Sequence, residues 1–458
     1  MRFQHHLWCA ALYLAISQIV SAKEVATEEF IPCAKDPAHQ FIETLQRNAY
    51  DGDEVALRLL RRNQRTAVER MKAQLRRESE RPNATGAPQL GGAQFDKWFL
   101  AELAKVRVPT CYEDPTAYLI IKKGVEDIDR ARRELGYQSD YQPKIGTAPT
   151  ESVNALTYYD EATKEHVILI NTELLRFSGQ IASLTVQTIP LDRLREPQRV
   201  ISARGRDIVV DFESHPEWGV DAVSAGLILL HVPTPELSEL DTRYDEFAVP
   251  FGRSIDLFVI GHEYGHVINK DRPFLVSKAQ RSAGDAHADL AVWTWPHELS
   301  ADKIGVTLFE RALERDVRLK GLPAELAPYA LRAPLLFMVC LEIVDDSAFV
   351  KQHGTLPPKR TAHDEAVMRD FADGKLSVAD ASRELGGPLG DYPPPWLREE
   401  RLQAAISDLG RRLPVTPQST VNGDLAKALI SRMHIYWAMA RRSLVARYRE
   451  ASSSKGSH

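Results

Sequence analysis

The sequence predicts an α+β fold that is mainly helical and carries a small β-sheet. Three observations point there. Apolar residues recur at helical spacing near both ends of the chain, two segments in its middle read as helices without internal breaks, and one short alternating run reads as a strand. No internal repeat is visible. The chain has 458 residues, 44% of them apolar and 26% charged, which is globular composition with length for two or three domains. The formal charge of −5 leaves no basic balance, so neither nucleic acid nor an anionic membrane is indicated as a principal partner.

Taken in order, residues 1–22 place Arg2 and two histidines before the apolar run LWCAALYLAISQIV, which ends in Val20-Ser21-Ala22. This pattern is a cleavable signal peptide and predicts an exported, periplasmic or secreted protein. The alternative, an uncleaved anchor, is disfavoured because the run is short for a span. The later runs GVDAVSAGLILLHV and APLLFMVCLEIV are also too short to cross a bilayer and read as buried helices, so no integral span is expected in the mature chain. Cys9 would leave with the signal peptide. Cys33 and Cys111 could then pair, while Cys340, inside LLFMVCLEIV, reads as a small buried apolar residue.

Residues 23–147 form a mainly helical N-terminal region, either an inhibitory prodomain or a permanent packing module. Its amphipathic part ends in the loop-like RPNATGAPQLGGA, where Asn83-Ala84-Thr85 would accept a glycan only in a eukaryotic secretory pathway. A β-branched run, AYLIIKK, then precedes the helix-like VEDIDRARREL. A second region, 148–375, opens with SVNALTYYDEATKEHVILINTELLRF, in which HVILIN reads as a strand and Asn171-Thr172 as a helix start. Residues 253–267 and 298–316 are the two unbroken helices, and the first is so apolar that it must be buried. Residues 376–458 return to amphipathic helix patterns.

The first of these helices contains His262-Glu263-Tyr264-Gly265-His266. Histidines four apart project from one helix face, where two imidazoles can grip one zinc ion. Glu263 is turned away from direct coordination but stays beside the open metal position, as a general base must. The pattern alone is only suggestive. Its setting strengthens it, because a charged centre in an otherwise buried helix costs several kcal/mol unless partnered. A catalytic zinc needs a third protein ligand. Asn269 and Arg272 stand where the extended HExxHxxGxxH pattern needs glycine and histidine, which excludes that class. Glu298, with Asp302 one turn later, can supply the ligand and a carboxylate that orients an imidazole. His297, and His287 with Asp289, are the competing candidates.

With HEYGH followed by ELSAD, the chain resembles the gluzincin metallopeptidases, in particular the group containing HtpX and the CAAX prenyl proteases. Two more elements are similar to that family. Val153-Asn154-Ala155 with HVILINTELL is similar to its VNA element, edge strand and helix, and TAHDEAVMR resembles its THPxxxxR element, with Asp364 in place of the proline. The resemblance spans about residues 150–372. It implies a gluzincin core with active-site helices, one catalytic Zn2+, Glu263 as general base, His363 as transition-state stabiliser, and Arg369 as its neighbour. It also implies hydrolysis of protein or peptide substrates, docked along HVILIN as an exposed edge strand. The alternative, from another class, is a zinc-bound scaffold or chaperone-like binding protein that keeps the geometry without turnover.

Overall fold

The computed structural model describes residues 39–49, 108–137, 142–148, 153–187, 245–271, 285–319, 327–386, 392–409 and 417–455, with a few isolated positions besides. The signal-peptide run, Cys33, the Asn83 sequon and the GVDAVSAGLILLHV run lie outside these residues. The elements in chain order are α1 (Gln40–Ala49), α2 (Pro115–Glu134), β1 (Lys144–Ala148), β2 (Ala155–Asp160), β3 (Glu165–Asn171), α3 (Thr172–Gln187), α4 (Asp245–Asn269), α5 (Asp285–Leu319), α6 (Ala327–Leu331), α7 (Ala333–His353), α8 (Ala362–Ala372), α9 (Val378–Glu384), α10 (Pro395–Leu409) and α11 (Pro417–Lys455). The architecture is therefore mainly helical with one small mixed sheet. Among the described residues no helix is long and apolar enough to cross a membrane.

The sheet order is β1-β3-β2, with β1 parallel and β2 antiparallel to β3. HVILIN is thus the central strand rather than the expected edge. Its continuous apolar run is explained by burial on both faces: Val167 and Leu169 pack with Ile42 of α1, whereas Ile168 and Ile170 join the main core. Period-two reasoning identifies faces and says nothing about lateral partners, which is why the edge was misassigned. Among the described strands the two edges are β1 and β2. β2 and β3 form a hairpin in which the Asp160 carboxylate accepts from Ala162 N at 3.0 Å and Thr163 Oγ1 at 2.8 Å, and Lys164 takes the left-handed φ of 60°.

The β-branched AYLIIKK run is the first half of α2, because Ile121, Val125 and Ile128 face the main core at helical spacing. Tertiary burial here outweighs local β preference. α2, α4 and α5 are further tied by charges: Arg315 donates to Asp127 at 2.7 Å, and Arg253 bridges Asp127 at 3.3 Å and Asp316 at 2.8 Å. The main core also takes residues from α3, α7, α10 and α11, so packing runs continuously across the boundaries read near residues 148 and 375. Cys340 is a free, fully buried core residue, as expected. Cys111 is disulfide-bonded, with a partner outside the described residues, where the sequence offers Cys9 and Cys33.

α4 and α5 cross with unusual closeness because small residues face each other. A Cβ on Gly261 would sit 2.9 Å from Gly305 O, one on Gly265 2.7 Å from Ala301 Cα, and one on Gly305 2.8 Å from His262 N. Only the missing side chains allow the two backbones to touch. That contact puts the HEYGH turn directly against the ELSAD turn.

Candidate metal centre

α4 runs longer than 253–267 and α5 begins thirteen residues before Glu298, continuing through Pro296, which costs one backbone donor. Both extensions leave the spacing of the predicted ligands intact. His262, His266 and Glu298 converge so that one ligand atom from each lies within 4.8 Å of the others. His262 Nε2 is 3.3 Å from Glu298 Oε2, His266 Nε2 is 3.5 Å from Glu298 Oε1, and the two Nε2 atoms are 3.2 Å apart.

The outer nitrogens decide what faces inward. His262 Nδ1 donates to Asp302 Oδ1 at 3.0 Å and His266 Nδ1 donates to Asp271 Oδ2 at 2.8 Å. Carboxylates can only accept, so each ring's Nδ1 carries hydrogen and each Nε2 lone pair is available to the centre. Two lone pairs and a half-buried carboxylate then point at one spot, a set that is unfavourable without a cation. Ligands at about 2.1 Å in a tetrahedron stand about 3.4 Å apart, close to the spacings seen. The residues therefore fit one zinc-sized ion.

In the metal-free state protons take part of that role. Burial opposes charge on the His262 ring, but the hydrogen bonds to Asp302 and Glu298 raise its pKa. Burial likewise opposes charge on His266, and Asp271 with Glu298 nevertheless pushes it up to about 10. Burial would neutralise Glu298, yet the two imidazoles hold its carboxyl well below the usual carboxylate range. Metal and protons compete for the same nitrogens.

Glu263 is buried beside this cluster, and Thr157 Oγ1 of β2 donates to its Oε2 at 2.7 Å. A cleft of about 350 Å³ opens over Glu263 and the three candidate ligands. Its walls are β2 with Val153 and Asn154, a stripe of α7, and the segment from Tyr392 to Arg398.

Four residues here were missed from sequence. Thr157 aims the base. Asp271 follows α4 at a reversal where Lys270 has φ 57°, and it also binds His297 Nδ1 and, through its carbonyl, His166 Nε2 at 3.0 Å. Arg398 holds Asp302 with two bonds of 2.7 and 2.8 Å and approaches Glu298 at 3.6 Å, so that Asp302 is anchored before it orients His262. Tyr392 lines the cleft mouth. The HExxH spacing gave no route to residues so distant in sequence.

His297 is occupied by Asp271 and lies outside the three-ligand cluster. His287 and Asp289 are in the first turns of α5, but their side chains fall outside the described residues. His363 and Arg369 are not brought to the cleft. Thr361 and Asp364 form a reciprocal cap, at 3.1 and 2.7 Å, that starts α8 as a separate surface helix. His363 is therefore 61% exposed and pairs with Glu384, while Arg369 pairs with Glu400 and lies over the Trp396 ring.

No protein-family model, no curated protein and no solved structure matches this chain.

Proposed function

We propose that this chain is an exported zinc-dependent endopeptidase of the gluzincin type. One observation carries the reading: two inward Nε2 atoms and the Glu298 carboxylate converge on one spot, with the buried Glu263 carboxylate alongside in an open cleft. Two histidines and a glutamate are the usual set for a catalytic zinc. When bound, zinc supplies a Lewis acid for the scissile carbonyl and lowers the pKa of water.

This chain's residues do the rest. Thr157 holds Glu263 by one carboxylate oxygen, leaving the other to take the water proton and pass it to the leaving amine. Arg398 and Asp302 fix the His262 ring, and Asp271 fixes the His266 ring. β2 pairs only with β3 among the described strands, so its other side can add an extended peptide through main-chain hydrogen bonds. The donor role expected of His363 passes to groups that face the cleft, of which the Tyr392 hydroxyl is the candidate.

The test is Glu263→Gln, which should retain zinc while cleavage of unfolded protein falls by at least a hundredfold. His262→Ala and Glu298→Ala should lose both. Chelator-insensitive cleavage, or full activity in Glu263→Gln, refutes the proposal. Zinc binding without turnover in the wild type would favour the scaffold reading.

A further inference from the structure

One stripe of α7 lines the cleft: Phe337, Leu341, Val344 and Asp345 follow the i, i+4, i+7, i+8 spacing. The first three are apolar. Phe337 belongs to the wall behind the metal helix, with its ring 5.9 Å from that of Phe258, which in turn lies 6.5 Å from the His262 ring. The fourth position carries a charge where the pattern calls for another apolar residue.

Asp345 differs from the other carboxylates around the cleft. Glu263 is held by Thr157, Glu298 by the two imidazoles, Asp302 by Arg398 and Asp271 by His266 and His297. Its helix neighbours are also committed, Asp346 to Trp437 and Arg441, and Glu342 to His434. Asp345 makes no hydrogen bond or ion pair among the described residues, although it lines the cavity and is reached by solvent. Arg398 and Arg360 act on it only through space, the first hydrogen-bonded to Asp302 and the second lying over the Trp396 ring. An exposed carboxylate at the wall of a cleft, with no ion pair of its own, is placed to pair with a cation that enters beside it.

We propose that Asp345 is a specificity determinant, selecting substrates that place a lysine or arginine side chain along the α7 wall of the cleft. The inference rests on the peptidase reading and adds the substrate class. An extended peptide held on β2 turns alternate side chains toward opposite sides, and those that meet α7 cross an apolar wall before reaching Asp345. An aliphatic stem with a terminal charge matches that sequence of surfaces, since lysine and arginine bury their methylenes and present the cation at the end. Desolvation at the cleft wall and the adjacent Asp346 carboxylate push the Asp345 carboxyl up to about 6, against the opposing pull of Arg398 and Arg360, which leaves it ionised at neutral pH and available to pair.

The test uses the full mature chain with zinc and a set of fluorogenic peptides that share one neutral sequence. A single lysine, and in a parallel set a single glutamate, is walked through each position around the cleaved bond. In the wild type, lysine at one position should lower KM about tenfold relative to the neutral peptide, with little change in kcat. Taken as a ratio within each variant, that preference should vanish in Asp345→Asn and turn toward glutamate in Asp345→Lys. A flat lysine scan in the wild type, or a preference that survives in Asp345→Asn, overturns the assignment. If no peptide is cleaved, the peptidase reading fails by itself. Fluorescence anisotropy of the same labelled peptides still reads the charge preference, and equal affinity for lysine and neutral forms refutes it.

Discussion

Replacing Gly265 by alanine puts the close crossing of α4 and α5 to a quantitative test. The added Cβ would lie 2.7 Å from Ala301 Cα, 2.8 Å from its carbonyl oxygen and 3.1 Å from its carbonyl carbon. All three are backbone atoms, so no side chain can swing aside. Carbon atoms rest at about 3.5–4.0 Å, which requires the helices to part by roughly 1 Å at this point. Overpacking of this kind costs about 1–3 kcal/mol. The same displacement separates His266 from Glu298, which now stand 3.5 Å apart, by an amount that a coordination shell tolerant to about 0.2 Å cannot absorb. Zinc affinity should fall by at least tenfold, measured by competition with a chromophoric chelator. Thermal unfolding of the metal-free protein should show the loss of stability separately. Gly423→Ala is the control, because its Cβ would meet only Pro328 Cβ at 3.7 Å and should be neutral or stabilising by helix propensity. Wild-type zinc affinity and wild-type stability in Gly265→Ala would refute the argument.

Three further outcomes are expected. Asp271→Asn, which weakens the bond fixing His266 Nδ1, should lower zinc affinity by about 10- to 100-fold while leaving the helical signal in circular dichroism intact; unchanged affinity would show that the ring is held otherwise. The His266 pKa is raised in the folded metal-free protein, from 6.5 to about 10, and that of His262 is raised too. Their stabilisation is thus fully present below about pH 6.5 and lost as pH rises toward 10, so chelator-treated protein should unfold at progressively lower temperature across that window, and a flat profile would exclude charged imidazoles there. His363→Ala should change stability by less than about 0.5 kcal/mol and leave peptide cleavage intact, because the ring is exposed and bound only to an exposed glutamate; a large loss of kcat would restore it to the mechanism.

What could be read from the chain follows the range of the physics involved. His262, His266 and Glu298 were legible because helix geometry alone fixes residues four apart, and because burial of a charged turn demanded a partner. Asp271 was invisible, since its place under His266 depends on a chain reversal through a left-handed Lys270. Arg398 lies 96 residues from the Asp302 it holds, and no local pattern encodes that pairing. The TAHDEAVMR segment lies away from the cleft for a definite reason: Asp364 in place of proline completes a helix cap with Thr361 and commits the segment to a helix of its own. For HVILIN the buried faces were readable and the neighbours were not. AYLIIKK became helical because its apolar residues fit the α4 and α5 surface at a period near four.

Asp271 joins three secondary-structure elements at one residue. Its carboxylate holds His266 at the end of α4 and His297 in α5, and its carbonyl meets His166 from the central strand. The register of α4 and α5 against the sheet is thereby fixed at a single residue. Any movement of that residue would be felt by both helices and by the strand at once, so the three elements are bound to shift together or not at all.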